Sequence, residues 1–171
     1  MTIDEFVKWL YPAAKKGEIN YKFTIAQAAL ETGWGKSKIG RYNLFGVTIG
    51  SSWTGKKMLV QTTEILSKPY VCKPGESIIA ANKLSTGKTR YTVKRWFRDY
   101  DTLEEALKDH QAILMKSGYK DAWAYRNDPR EYAKRIVDSV GCKYATDPLY
   151  AQTMSKMITS VENSLKRLGL K

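Results

Sequence analysis

The sequence has 171 residues, of which 43% are hydrophobic and 27% are charged. This balance is typical of a globular protein with a substantial core, and it excludes a disordered chain or one built from membrane spans. The net charge of +12 favours a polyanionic partner, a class that includes nucleic acid, anionic lipid and the bacterial cell wall.

The first part of the chain predicts two helices. A capping box at residues 2–5 begins the first helix, and Gly17 closes it. Its predicted apolar face consists of Phe6, Trp9, Leu10 and Ala13. The second helix spans about residues 22–33, and a short apolar run at residues 41–48 connects it to a β-type region.

The middle third predicts a small antiparallel lobe, about residues 50–100, which we call the β-lobe. Residues 57–65 are rich in β-favouring side chains and predict a strand. Residues 66–89 contain prolines and glycines and predict an irregular excursion with a short helix around residues 77–84. Alternation resumes at residues 90–98, which we expect to pair with the first strand.

The last third predicts helices with clear start and stop signals. A second capping box at residues 102–105 begins a helix that runs to Gly118. Asp128 and the following proline begin the next helix, and Gly141 ends it. Asp147 and its following proline begin the last helix.

These elements indicate a single domain over residues 1–171. Its predicted class is α+β and mostly helical, with the β-lobe beside the helices and a substrate cleft between the two parts. We expect a monomer.

Glu31 is the candidate for proton transfer. At helical spacing, Thr24, Gln27 and Glu31 form a stripe that can face a cleft. Glycines on both sides of Trp34 end the helix and let the indole stand next to the carboxyl group. Partial shielding from water disfavours the charged form, so the pKa of Glu31 should rise and keep the group protonated near neutrality. Such a group can protonate a glycosidic oxygen.

The sequence predicts no metal site and no cofactor. Cys72 and Cys142 lack metal-ligand spacing, and His110 is the one histidine. Free thiols are expected, although a disulfide between the two cysteines stays open. His110 has no adjacent nucleophile or metal partner, which favours a structural role.

Several motifs occur in a fixed order along the chain, at residues 26–37, 42–46, 53–55, 62–64, 96–100, 109–110 and 144–151. Together they resemble glycoside hydrolase family 73, the bacterial and phage endo-β-N-acetylglucosaminidase domain that also occurs in flagellar peptidoglycan hydrolases. The resemblance covers about residues 3–165. The chain departs from the family's pattern at Thr32, where serine is common, and in the long segment 67–88.

The resemblance implies a lysozyme-like fold that cleaves the β-1,4 bond after N-acetylglucosamine in peptidoglycan. At matching positions Glu31 would be the catalytic acid, Glu64 the second acidic residue in the β-lobe, and Tyr144 a tyrosine that lines the site. Glu64 could activate water, or it could be a surface carboxylate paired with a neighbouring lysine. Alternatively, the substrate's own acetamido group attacks the anomeric carbon, with Tyr144 orienting it.

Aromatic residues near the expected cleft are candidates for stacking on sugar rings. Trp53 and Tyr42 are the better candidates, whereas Phe45 is expected to be mainly structural. The full set of expected substrate contacts is Trp34, Tyr42, Asn43, Phe45 and Trp53.

Alternative functions remain open. A muramidase or lytic transglycosylase could use one glutamate on the same fold, and a non-catalytic domain could bind cell-wall glycan without cleaving it. Nucleic-acid binding rests on charge alone, without a recognisable binding motif, and is not expected. Membrane insertion is not expected either, because no segment is long and apolar enough.

The N-terminal residues show no secretory signal. The expected partner is bacterial peptidoglycan, and the expected place of action is the cell wall, in the periplasm or outside the cell. A phage-encoded lysin released from the cytoplasm would fit a chain without a secretory signal that acts on the cell wall, although an excised domain of a larger protein would look the same.

Overall fold

A computed structural model describes residues 1–138 and 144–171. The described part contains six α-helices and one three-stranded antiparallel sheet, which confirms the mostly helical α+β class. A single 3-10 turn, Ser117–Tyr119, precedes the short fourth helix. The elements in chain order are α1 (Ile3–Ala14), α2 (Tyr21–Thr32), β1 (Lys57–Leu66), β2 (Ser77–Lys83), β3 (Thr89–Arg98), α3 (Leu103–Leu114), α4 (Lys120–Trp123), α5 (Pro129–Asp138) and α6 (Tyr150–Leu168).

The first two helices form where the sequence predicts them. The Thr2 hydroxyl accepts from the Glu5 backbone N–H and the Glu5 carboxylate accepts from the Thr2 N–H, so the capping box is present. Helix α1 ends at Ala14, three residues before the predicted Gly17. Helix α2 is buried almost all round from Phe23 to Ala29, which makes it the centre of the core.

The sheet has the order β1-β3-β2. β1 and β3 pair in antiparallel register from Lys57↔Arg98 to Leu66↔Thr89, which confirms the predicted strand pair. The predicted helix around residues 77–84 is wrong, because this segment is strand β2 and pairs with β3. Ala80, Ala81 and Lys83 favour a helix locally, but Ile78 and Ile79 suit a strand and hydrogen bonds to β3 stabilise the extended form.

The base of the β-lobe is joined to the helices by a buried ion pair. Arg98, at the end of β3, donates to both carboxylate oxygens of Asp109 on α3, at 2.9 and 2.8 Å. The Tyr100 hydroxyl donates to the same carboxylate at 2.5 Å. The Met58 side chain packs against the backbone of Gly40, in the loop after α2. The approach is so close that a Cβ atom added at Gly40 would lie only 2.4 Å from Met58 Cε. These contacts fix where the lobe leaves the helical body.

The later helices complete the core. Thr102 caps α3 and Asp128 accepts from the Glu131 N–H at the start of α5, both as predicted. Asp147 does not cap α6 directly: its carboxylate accepts from the Leu149 N–H, and the helix begins at residue 150. The predicted end of α5 at Gly141 lies outside the described residues.

Helix α6 packs on the other helices through Met154, Ile158, Val161 and Leu165, all of which are buried. Among the described helices, none combines the length and apolar character that crossing a bilayer requires.

Candidate active site

Glu31 lies in the last turn of the buried helix α2. Its side chain is exposed, whereas Thr24 and Gln27, expected on the same cleft-facing stripe, are buried. That part of the expected stripe is therefore wrong. Burial among the surrounding atoms raises the pKa of Glu31 above its usual 4.5. A carboxyl group that solvent can reach and that is nevertheless partly desolvated fits a concave surface, where a substrate can contact it.

A cluster of tyrosines lies beside Glu31. The rings of Tyr144 and Tyr150 have centroids 5.7 Å apart, and Tyr119 lies 6.2 Å from Tyr144. Burial raises the pKa of Tyr144 and of Tyr150, and the negative charge of Glu31 raises both further. The structure thus brings together Glu31 and Tyr144, two residues that are far apart in the sequence.

Helix α2 also positions this cluster through Gln27. Its Nε2 donates to the Tyr150 hydroxyl at 2.8 Å, and both side chains are buried. Gln27 Oε1 is buried with no hydrogen-bond partner among the described residues. Gln27, Tyr119 and Tyr150 were not identified as site residues from the sequence, although Gln27 precedes Glu31 by one helical turn and Tyr150 belongs to the motif that begins at Tyr144.

Trp34 follows Gly33, which ends α2 in the left-handed conformation. Trp34 itself has a φ of 60°, a conformation that non-glycine residues seldom adopt. Its ring is half-buried and makes an edge contact with Phe6 of α1, with centroids 5.7 Å apart. The contact that the structure shows for the indole is therefore with the core. A role in sugar stacking stays a prediction.

Glu64 lies on β1 and is held within the β-lobe. Its carboxylate accepts from Arg95 on β3 at 2.8 Å, and its side chain is 25% exposed. The expected surface pairing is thus present, but with an arginine of the neighbouring strand. Glu64 shares a face of β1 with Met58, which contacts the loop after α2. Its predicted catalytic role stays a prediction.

The loop between α2 and β1 contains all five expected substrate contacts, and three of them lie close together at residues 42–45. Tyr42 is half-buried, and Phe45 stacks on His110 with centroids 3.6 Å apart. Asn43 is only 1% exposed, and its amide donates to the carbonyls of Val47 and Arg98 and accepts from the Val47 N–H, each at 2.9 Å. These hydrogen bonds fasten the loop to β3, and the substrate contact expected of Asn43 stays a prediction.

Trp53 packs on the base of the β-lobe. Its ring lies 4.6 Å from the Arg98 guanidinium and makes an edge contact with Tyr100. Its Nε1 donates to the Lys56 carbonyl at 2.8 Å. These contacts orient a half-buried indole, and stacking on a sugar stays a prediction for its remaining exposed surface.

His110 is 2% exposed, and burial lowers its pKa to about 3. It borders a cavity of about 330 Å³ that is also lined by Ala14 and Leu107 and lies away from Glu31. Within the described part of the chain, no group of histidine, cysteine and acidic side chains could hold a metal ion. Cys72 is exposed, and Cys142 lies outside the described residues.

Comparisons with known proteins agree on one family. The family model described as mannosyl-glycoprotein endo-beta-N-acetylglucosaminidase, the glucosaminidase family, matches residues 7–163. No solved structure matches the chain at a significant level.

The similar curated proteins are cell-wall enzymes by name. The peptidoglycan hydrolase FlgJ of Pseudomonas aeruginosa is 29% identical over 93% of this chain and 37% of the relative. FlgJ of Escherichia coli strain K12 is 31% identical over 88% of this chain and 43% of the relative. A probable N-acetylmuramidase of Lactococcus lactis subsp. cremoris is 27% identical over 86% of this chain and 30% of the relative. The chain thus spans less than half the length of these relatives.

Proposed function

The chain belongs to the glucosaminidase family, glycoside hydrolase family 73, and we propose that it hydrolyses the β-1,4 bond after N-acetylglucosamine in peptidoglycan glycan strands. The observation that carries the proposal is the Glu31 carboxyl group, which is exposed to solvent yet has a raised pKa. FlgJ, named as a peptidoglycan hydrolase in several bacteria, supports the choice of polymer.

Glu31 is the general acid in this proposal. Its raised pKa increases the fraction of enzyme that carries the proton near neutral pH, and that proton goes to the glycosidic oxygen as the bond breaks. The leaving sugar then departs as an alcohol, and positive charge develops on the anomeric carbon. A second group, besides the acid, then has to stabilise that positive charge or form a bond to the anomeric carbon.

Two routes fit the second group. In the first, Glu64 leaves its ion pair with Arg95 and activates water, which requires its carboxyl group to lie about 6.5–9.5 Å from that of Glu31. In the second, the acetamido oxygen of the substrate attacks the anomeric carbon while Tyr144, held beside Glu31, orients it. The Glu64→Gln variant distinguishes the two routes. If Glu64 activates water, the substitution lowers kcat and leaves KM nearly unchanged, whereas turnover by the acetamido route does not need Glu64.

A muramidase activity is the second candidate function. It is favoured by the printed name of the Lactococcus lactis relatives, probable N-acetylmuramidase. A lytic transglycosylase on the same fold would also need a single acid. These enzymes cut the alternate bond of the glycan strand, so the new chain end identifies each activity.

The experiment is digestion of purified peptidoglycan, followed by borohydride reduction and mass spectrometry of the fragments. Our proposal predicts N-acetylglucosamine at the new reducing ends. Reducing-end muramic acid would indicate the muramidase, and 1,6-anhydro-muramic acid the transglycosylase. Intact strands after binding would indicate a non-catalytic glycan-binding domain.

A further inference from the structure

The positive charge of the chain is concentrated in the β-lobe. Residues 57–98 contain nine lysines and arginines against two glutamates, so they contribute +7 of the net +12. Residues 99–171 contain twelve basic and eleven acidic residues and are nearly neutral. The attraction for an anion is therefore strongest at the lobe and weak over the C-terminal helices.

Both carboxylates of residues 57–98 bind groups of the β-lobe itself. Glu64 binds Arg95 at 2.8 Å. Glu76 accepts from the Tyr70 hydroxyl and the Lys73 N–H at 2.9 Å each, and from the Trp96 N–H at 3.1 Å. Neither carboxylate is paired with a cation at the far end of the sheet.

The strand register brings several cations together at the end of the lobe. Thr89 of β3 lies between Leu66 of β1 and Lys83 of β2, so all three strands end at the same level. Neighbouring strands are about 4.8 Å apart. We call the cations at this end the basic tip, and they are Lys68, Lys83, Lys88 and Arg90.

All four side chains of the basic tip are exposed. In residues 1–138 and 144–171, no carboxylate oxygen lies within 4.0 Å of their charged nitrogens. Four like charges at one end of a small sheet repel one another, which disfavours this arrangement unless an anion binds there.

The basic tip is remote from the base of the lobe. β1 and β3 each contain ten residues, so the tip lies about 30 Å along the strands from the Lys57↔Arg98 pair. Arg98 is the residue that binds Asp109 on the helical body. The cations of the tip therefore do not serve the attachment of the lobe.

We propose that the basic tip docks the protein on the carboxylates of peptidoglycan stem peptides, on strands next to the one being cut. This inference rests on the proposed function, because that function puts peptidoglycan within reach of the lobe. Stem peptides are acidic and repeat along each strand, so several carboxylates can meet several lysines at once. Such attraction acts over about 10 Å and weakens as salt is added.

The test is a pair of triple variants with the same change in charge. The tip variant replaces Lys68, Lys83 and Lys88 with glutamine, and the control variant does the same at Lys8, Lys116 and Lys156, which are exposed lysines of the helical body. Sedimentation with insoluble peptidoglycan, freed of phosphate polymers and kept cold, measures the affinity. Cutting of soluble glycan strands without stem peptides is measured in parallel.

We expect the tip variant to bind about tenfold more weakly than wild type at low salt, and the control variant less than about twofold more weakly. Converting the peptidoglycan carboxylates to neutral amides should abolish this difference between the variants. Both variants should cut stem-free strands at the wild-type rate.

Equal weakening of both variants would overturn the inference, because net charge alone would then explain binding. A difference that appears only on walls that retain phosphate polymers would also overturn it. If no variant cuts any glycan strand while the tip still decides binding, the proposed function fails and the docking surface stands. If all variants cut and bind alike, the docking surface fails and the proposed function stands.

Discussion

Glu31 combines two properties that a surface carboxyl group seldom has together. It is exposed to solvent, and the protein around it raises its pKa. The reason lies in its helix, because α2 is buried as far as Ala29 and the tyrosine cluster lies beside its last turn. The neighbouring residues that make Glu31 suitable as an acid therefore also make its ionised form unfavourable.

This cost predicts how stability depends on pH. Because the folded-state pKa is raised above 4.5, the favourable contribution of Glu31 is fully present below pH 4.5 and is lost as the pH rises through the folded-state value. The Glu31→Gln variant stays neutral throughout. We expect its Tm, relative to wild type, to be higher near neutral pH than in acid, as measured by thermal unfolding at both values. An equal difference in Tm at both pH values would show that the carboxylate is not desolvated.

The Asn43 amide holds the loop after α2 through three hydrogen bonds. Replacement with alanine leaves two backbone carbonyls and one N–H without their partner, so we expect unfolding free energy to fall by about 2–4 kcal/mol. Urea denaturation measures this change. Asn82→Ala, at an exposed position of β2, is the matched control and should cost less than about 0.5 kcal/mol. A raised KM of the Asn43→Ala variant with an unchanged free energy of unfolding would instead support the predicted substrate contact.

At the scale of elements, the ion pair between β3 and α3 determines how the β-lobe is held. Arg98 and Asp109 have side chains that are 10% and 18% exposed, and Tyr100 also binds the carboxylate. A second pair, Lys56–Asp101, joins the same region but is 66% and 64% exposed. The two pairs therefore provide a comparison of buried and exposed charge at one junction.

We expect Asp109→Ala to lower the unfolding free energy by about 3–5 kcal/mol, because it leaves the Arg98 guanidinium buried without a counterion. Asp101→Ala should cost less than about 1 kcal/mol, since water solvates the exposed Lys56. Denaturant unfolding of both variants checks the difference. Similar costs for the two variants would mean that the buried pair does not hold the junction.

At the scale of the whole molecule, local patterns predicted most of the fold. The capping residues of α1, α3 and α5 act within a few residues of themselves, so Thr2, Thr102 and Asp128 could be identified from the sequence. Strand β2 could not, because its composition mixes helix-favouring and strand-favouring residues and its extended form depends on pairing with β3.

Part of the candidate site could likewise be predicted from local sequence, and part of it depends on contacts between distant residues. Glu31 could be proposed from its own motif, and the structure brings Tyr144 beside it. The hydrogen bond between Gln27 and Tyr150 could not be predicted, because it joins α2 to α6 across 123 residues of sequence. The hydrogen bonds of Asn43 to Val47 and Arg98 could not be predicted either, because the bond to Arg98 joins residues that are 55 positions apart in the sequence.

The charge of the whole molecule is also uneven in a way that only the fold makes visible. Lys68, Lys83 and Lys88 are spread along the chain, and the register of the three strands brings them to one end of the β-lobe. Lys73 of the same segment instead donates to the Gly50 carbonyl. The same fold places the acid at the end of α2.

The most direct test of the account compares wild type and Glu31→Gln on purified peptidoglycan, with release of new reducing ends as the measure. The substituted amide keeps the shape of the side chain but cannot donate the proton, so we expect turnover to fall by a factor of about 10²–10⁴ while binding to peptidoglycan and folding are preserved. Wild-type turnover by a folded Glu31→Gln variant would contradict the assignment of Glu31 as the acid.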